Sequence, residues 1–315
     1  MFRLQVLESV DSTNEVIKRA IEDGEPEGLA IRAYRQTGGY GRQGRAWKSP
    51  RGGMYESILL RPEVEMREFP TLALVVAIAV RRALASLVVD DQARRICIKW
   101  PNDVVLVGGD FGADCSTRDT ALELGGHTPC SDSSALENSP LGCSRRAELR
   151  AAHARQAQGL QASQTNAPSI KSLYSKLAGI SSEVHAGGIC VGVGVNVEPP
   201  EDAMEVGGKN APVYLADLGF GFTCEREAAI NAVGDAVLRE FEPLYRRWCD
   251  GGFAALSGEF AEHSMLEGRF VRMANQLGEV VCEGAVRGVD TSGRLLLRLE
   301  DGESKAVASG EVHLL

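Results

Sequence analysis

The stretch Arg35-Gln36-Thr37-Gly38-Gly39-Tyr40-Gly41-Arg42-Gln43-Gly44-Arg45-Ala46-Trp47 decides how this chain is read. It follows Leu29, Ile31 and Ala33, which alternate with Ala30, Arg32 and Tyr34 as a strand does. Four glycines let the backbone reach positive φ and approach a ligand closely. Their exposed N–H groups form an anion nest, and Arg42 and Arg45 add charge-assisted donors for phosphate or carboxylate. No Gly-Lys-Ser/Thr closes the loop, so it is not a Walker loop. No helical pattern follows to make a dinucleotide fingerprint either. Read alone, such a segment is equally a surface connection.

Four more motifs surround it in order. Asp11-Ser12-Thr13-Asn14 lies upstream, and Lys99-Trp100-Pro101-Asn102-Asp103 lies downstream. Beyond them stand Lys176-Leu177-Ala178-Gly179-Ile180 and Gly192-Val193-Gly194-Val195-Asn196. Each is weak singly, but the ordered set of five closely resembles the biotin protein ligases. Those enzymes join biotin to one lysine of a carboxylase carrier domain through biotinyl-adenylate. The resemblance covers almost the whole chain apart from an inserted segment near its middle. It implies an α+β fold. Residues 1–264 would form a mixed-sheet catalytic domain of the biotin/lipoate ligase type with packed helices. Residues 265–315 would form a small SH3-like β-barrel.

A chain of 315 residues is long enough for one large domain with its own core and a small second one. The formal charge of −9 argues against a general nucleic-acid binder. The longest apolar run, Leu72 to Val80, is too short to span a bilayer and ends at Arg81-Arg82. The N-terminus lacks a basic-then-apolar signal pattern, so a cytoplasmic protein is expected. Eight cysteines contain no Cys-x-x-Cys pair, and most are expected as free thiols. Cys115, His127, Cys130 and Cys143 form at best a loose metal set of irregular spacing. No histidine pair or Ser-His-Asp set suggests chemistry.

Along the chain, residues 1–10 read as a short strand. Ser12 and Glu15 then stand at capping-box spacing before a helix with Val16, Ile17, Ala20 and Ile21 on one face, stopped at Gly24. Met54 to Arg61 reads as a strand, and residues 69–88 as a helix so apolar that it must be buried. Arg95 to Trp100 is a strand ended by Pro101, and Val104 to Val107 begins another. Where the family has a short hairpin, roughly sixty residues intervene, about Gly108 to Ser172. Their polar, Ala/Gly/Ser-rich composition predicts disorder, with a lone helix over 144–161. Lys176 to Ala186 and Ile189 to Val197 read as strands joined by a tight turn, with room for a flat ring over Gly192 and Gly194. Glu225 to Trp248 is an amphipathic helix, and a shorter one follows near Phe253 to His263. Short strands begin at Gly268, with turns at 276–278, 291–293 and 301–302.

The resemblance also assigns residues. Ser12, Thr13, Asn14, Gln36, Gly39, Tyr40, Gly41, Lys176 and Gly192 are implied to border biotin. Arg42, Arg45, Trp47, Asn102, Lys176 and Asn196 are implied to hold ATP or the adenylate. Lys176 would bridge the biotin carboxylate and the α-phosphate, Asp103 would hold Mg²⁺, and Arg42 would help retain the intermediate, giving Lys176, Asp103 and Arg42 as the catalytic set. Tyr40 departs from the family's more usual arginine, which removes a direct charge contact there. ATP and Mg²⁺ are the implied cofactors, and a biotin carboxyl carrier domain is the implied partner, without nucleic acid or membrane. Monomer and homodimer stay open. So do a lipoate or octanoate ligase of the related fold and a catalytically impaired biotin-binding protein. A biotin-sensing repressor would need a helix-turn-helix before Ser12, where only eleven residues stand.

Overall fold

The computed structural model describes residues 1–108, 173–200, 212–221, 225–275 and 277–315. The disorder expected of 108–172, the helix over 144–161 and the Cys115/His127/Cys130/Cys143 set lie outside them, apart from Gly108.

Seven strands form one mixed sheet. In chain order they are β1 (Arg3–Leu7), β2 (Leu29–Ala33), β3 (Gly53–Leu60), β4 (Ile96–Lys99), β5 (Asp103–Val107), β6 (Tyr174–His185) and β7 (Gly188–Asn196). Their spatial order is β1-β2-β3-β7-β6-β5-β4. Only β1 and β2 pair in parallel, and the other neighbours are antiparallel. The β5–β6 pair is the hairpin into which the long segment is inserted, and the Gly108 N–H donates to Leu173 O at its open end. The β6–β7 turn is Ala186-Gly187, with φ of 43° and 78°, the two positive values that a two-residue hairpin turn requires.

Because side chains alternate along a strand, the sheet has two distinct faces. On one, Met54, Ile58, Val191, Val193 and Val195 pack with helix α2 (Leu72–Leu87) and helix α4 (Arg226–Gly251), the short α3 (Asp90–Ala93) intervening in sequence. On the other, helix α1 (Thr13–Glu22) sets Ile17 and Ile21 against Leu29, Ile31, Leu59 and Cys190, covering only part of that face. The rest stays open, and the site lies there.

The helix expected over 69–88 begins as a 3₁₀ turn, Met66–Thr71, containing Pro70. Together Met66–Leu87 is long and apolar enough by composition to cross a membrane, contrary to the sequence reading. Its burial between the sheet and α4 accounts for that composition. Ser12 does occupy the N-cap of α1, but its side chain makes no capping bond. Instead the Ser12 N–H donates to Asp11 Oδ1 at 2.8 Å, and the capping box is absent. Cys190, Cys249 and Cys282 are free thiols as expected, whereas Cys97 is disulfide-bonded.

Helix α5 (Ser257–Glu262) leads to a five-stranded antiparallel sheet of β8 (Phe270–Ala274), β9 (Val280–Val289), β10 (Leu295–Arg298), β11 (Ser304–Val307) and β12 (Glu311–Leu314). Its order is β11-β10-β9-β8-β12, so the last strand returns beside the first. Gly278, Gly293 and Gly302 take positive φ at its turns. The buried indole of Trp100 donates to Gly293 O at 2.9 Å, fastening the segment after β4 to this sheet.

Candidate active site

The open face is built of small side chains in register. Asp103, Gly179, Gly194 and Tyr55 form one row across β5, β6, β7 and β3, and Ser181, Gly192 and Ser57 form the next. Plain alternation from Ser181 and Gly179 would put Leu177 on this face. A register shift opposite Val104 and Val105 makes Leu177 the extra residue, so Val105 pairs with Lys176. Such a bulge re-aims a side chain. Here it buries Leu177 and turns Lys176 into the cleft.

That cleft has a volume of about 750 Å³. One end is neutral. Gln36 Oε1 accepts from the Thr13 N–H at 2.8 Å and the Thr13 hydroxyl at 3.0 Å, and Gln36 Nε2 donates to Ser49 Oγ at 2.9 Å. The Ser57 hydroxyl lies 2.7 Å from Thr13 Oγ1 and 2.6 Å from Asn14 Oδ1, and its single proton serves one of them. Asn14 Nδ2 donates to Ser181 Oγ at 3.3 Å. A Cβ on Gly192 would stand 2.4 Å from Asn14 Oδ1, so the glycine is what lets this group close up.

The other end is charged. Lys176 Nζ is 2.7 Å from Asp103 Oδ1 and 4.9 Å from the Trp47 ring centroid. Arg42 donates to Asn102 Oδ1 at 3.0 Å, and Asn102 in turn donates to Ile180 O. Burial holds the Arg42 guanidinium below its ordinary range against the pull of Asp103. Lys99 is only 8% exposed, and its ammonium lies 5.5 Å from the Tyr174 ring centroid. Burial lowers its pKa, assisted by Lys176 and opposed by Asp103. Arg45 forms an ion pair with Glu311, so β12 of the C-terminal sheet supplies part of the wall, as do Leu277 and His313.

Most residues expected at a site therefore meet in one cleft. Thr13, Asn14, Gln36, Tyr40, Gly41, Arg42, Arg45, Trp47, Asn102, Asp103, Lys176 and Gly192 all line it. Three do not. Ser12 is buried at the start of α1 and does not line the cleft, because Thr13 and Asn14 are the residues turned inward. Gly39 has a packing role, since a Cβ there would meet Ser49 Oγ at 2.4 Å and Gln36 Nε2 at 2.7 Å. Asn196 shares the face of Gly192 and Gly194 but lies beyond Trp47, in a separate hollow of about 180 Å³, where its amide donates to Lys176 O. Trp47 borders both spaces and covers Gly194 and Gly179. Ser57 and Ser181 escaped the sequence reading, and Lys99 was quoted there within the Lys-Trp-Pro-Asn-Asp motif but given no role. Strand parity with Tyr55 and Gly179 is the one signal that points to the two serines, whereas the motif itself marks Lys99.

Comparison with known proteins shows which families the chain resembles. Residues 6–112 match the Biotin/lipoate A/B protein ligase family, and residues 268–315 match the Biotin protein ligase C terminal domain. The chain is 24% identical over 313 residues to the Biotin--[acetyl-CoA-carboxylase] ligase of Mycobacterium tuberculosis, covering 98% of this chain and 88% of that one. It is 33% identical over 100 residues to the bifunctional ligase/repressor BirA of Bacillus spizizenii, a stretch spanning 31% of this chain and only 30% of that relative. Among solved structures, the Aquifex aeolicus biotin protein ligase in complex with biotin and ATP covers 100% of this chain and 99% of its own. Its TM-score is 0.62 at 23% identity, a likeness of fold.

Proposed function

The chain carries a biotin/lipoate A/B protein ligase domain and a biotin protein ligase C-terminal domain, and on that premise we propose an ATP-dependent biotin ligase. It activates biotin as biotinyl-5′-AMP and transfers the biotinyl group to a lysine of a biotin carboxyl carrier domain. The observation that carries this reading is Lys176, turned by a bulge to the junction between a neutral hydrogen-bonding pocket and a cationic one. A planar, uncharged ureido head suits Thr13, Asn14, Gln36, Ser57 and Ser181. The carboxylate tail then reaches toward Lys176.

In the first step the carboxylate oxygen attacks the α-phosphorus of ATP, an O–P bond forms, and diphosphate leaves. Two anions must meet, so cations and positioning supply much of the acceleration. Lys176 holds the pair together, Arg42 lies over the phosphate side, and Lys99 faces the departing diphosphate. Mg²⁺ neutralises nucleotide charge when bound. It usually takes one or two protein carboxylates plus phosphate oxygens, and Asp103 fits that role. Among the described residues no group of three or more His, Cys, Asp or Glu offers a fuller metal cage. In the second step the carrier lysine's amine attacks the same carbonyl, an amide forms, AMP leaves, and the amine loses a proton. Trp47 and the Gly/Arg loop exclude water from the mixed anhydride meanwhile.

The reading carries further parts. Residues 1–264 act as the catalytic domain, and 265–315 as an SH3-like barrel that closes one side of the cleft. The protein works in the cytoplasm on ATP, biotin and a carrier domain, without nucleic acid, in keeping with its net charge. The test incubates purified protein with labelled biotin and MgATP, with and without a carrier domain, and with lipoate and octanoate as competing acids. Biotinyl-AMP alone, becoming biotinylated carrier on addition, is expected. Preference for lipoate or octanoate would move the protein to the related ligases. No acyl-adenylate of any kind would leave a binding module.

A further inference from the structure

Tyr174 opens β6 two residues before Lys176, outside every motif, and it borders the same cleft. Plain alternation back from Gly179 would put Leu177 and Ser175 on the cleft face. The extra residue at Leu177 shifts that parity. The bulge that turns Lys176 inward therefore turns Tyr174 inward with it.

On β4, Lys99 pairs directly with Asp103, and β5 separates its strand from β6. The Lys99 and Tyr174 side chains reach toward each other across β5, and the ammonium lies 5.5 Å from the ring centroid. That separation suits a cation–π contact. The two lysines at this end of the cleft are answered differently. Lys176 has the Asp103 carboxylate at 2.7 Å. Lys99 is buried, yet among the described residues it forms no ion pair and donates no hydrogen bond. A buried charge is costly unless something compensates it. The Tyr174 ring compensates part of that cost without bringing negative charge. A carboxylate in its place would neutralise Lys99 and repel an anionic ligand, whereas a ring face leaves the three N–H donors open.

We propose that Tyr174 is a positioning residue of the phosphate end. Its ring holds the Lys99 ammonium at the cleft wall, where the open donors take the terminal phosphates of the nucleotide and then the departing diphosphate. The identity of the anion rests on the ligase reading, whereas the pairing of ring and ammonium does not. The cationic end then has two kinds of lysine. Lys176, with Asp103 beside it, serves the reacting carboxylate and the α-phosphate. Lys99, carried by a ring, serves the charge that enters and leaves.

Calorimetric titration of the full-length protein with inorganic diphosphate and Mg²⁺ tests the anion site without an acyl substrate. Tyr174→Leu should weaken that binding roughly fivefold, the worth of one partly desolvated cation–π contact. Tyr174→Phe keeps the ring and should stay within about twofold of the wild type. Tyr174→Glu should weaken binding more than Tyr174→Leu does. In the adenylation assay, Tyr174→Leu should raise KM for ATP and leave KM for biotin unchanged. In a Lys99→Met background the same substitution should raise KM for ATP no further, because the ring acts through the ammonium. Wild-type diphosphate affinity in Tyr174→Leu, or an equal loss in Tyr174→Phe, would overturn the proposal. So would an undiminished effect of Tyr174→Leu in the Lys99→Met background. Diphosphate binding without biotinyl-AMP formation would sink the ligase reading and leave the anion site standing. Biotinyl-AMP formation without diphosphate binding would do the reverse.

Discussion

The two faces of strand β3 carry consecutive residues with opposite fates. Glu56 points into the helix side and is fully buried against Arg32, its direct neighbour across β2, at 2.8 Å. Arg32 reaches on to Asp235 at 3.0 Å and to Asn231. Gly234 makes room for it, since a Cβ there would stand 2.3 Å from the guanidinium. Tyr55 and Ser57, one residue to either side, face the cleft, whose ionic groups include Lys176, Asp103, Arg42 and Lys99 and the Arg45–Glu311 pair. On the helix side opposite charges neutralise each other and nothing else enters. In the cleft, cations exceed carboxylates, and the glycines of β6 and β7 leave volume beside them. Charge serves the fold on one face and the ligand on the other.

If that division holds, perturbing each face should move a different quantity. Arg32→Met strands the Glu56 carboxylate in the core, and breaking a buried pair from one side costs about 3–5 kcal/mol. Urea unfolding should show the loss in midpoint. A variant of wild-type stability would mean that the pair is already neutral and dispensable. Next in size is Lys176→Ala, which should slow adenylate formation on the order of 10²-fold or more with an unchanged unfolding midpoint. Biotinyl-AMP formed at the wild-type rate would refute the catalytic role.

These two predictions differ in how far the sequence foretold them. Lys176 was placed by motif, yet its direction depends on the extra residue Leu177, and a bulge depends on the partner strand's register. Local pattern contains no such information. The periodic helices α1, α2 and α4 and the Ala186-Gly187 turn were legible, because spacing and positive φ leave marks in the residues themselves. Ser57 and Ser181 were not, since each meets Asn14 from a segment far away in the chain. Ser12 misled for the opposite reason: its capping-box spacing is local, but Asp11 took its N–H.

Smaller effects come from filling the cleft. Gly192→Ala would place a Cβ 2.4 Å from Asn14 Oδ1 and 2.6 Å from Ser181 Oγ. The two must move apart, at a cost of about 1–3 kcal/mol typical of overpacking. That should appear as a KM for biotin raised roughly tenfold or more, with a smaller change in KM for ATP. Equal changes in both constants would show that the two ends of the cleft are not independent, and the contrast between them would need redrawing.

The smallest effect is a pH trend that belongs to the helix face alone. Burial raises the Glu56 carboxyl to about 7, with Arg32 pulling the other way. The unfolded chain lets that proton go near 4.5, so the folded state binds more protons between these values. Stability from that proton is complete below pH 4.5 and is lost as the pH climbs through about 7. Glu56 lies on the face of β3 turned away from Tyr55, Ser57 and the cleft, so adenylation should not follow the same curve. Thermal unfolding at pH 5 and pH 7.5 should show a decline on the order of 1 kcal/mol, or about 2–4 °C at this chain length. Glu56→Gln cannot titrate and should flatten that part of the profile, whatever its own absolute stability. The same slope in Glu56→Gln as in the wild type would assign the trend to other groups. Glu56 would then be ionised throughout, and the helix face would hold a full ion pair at neutral and acid pH alike.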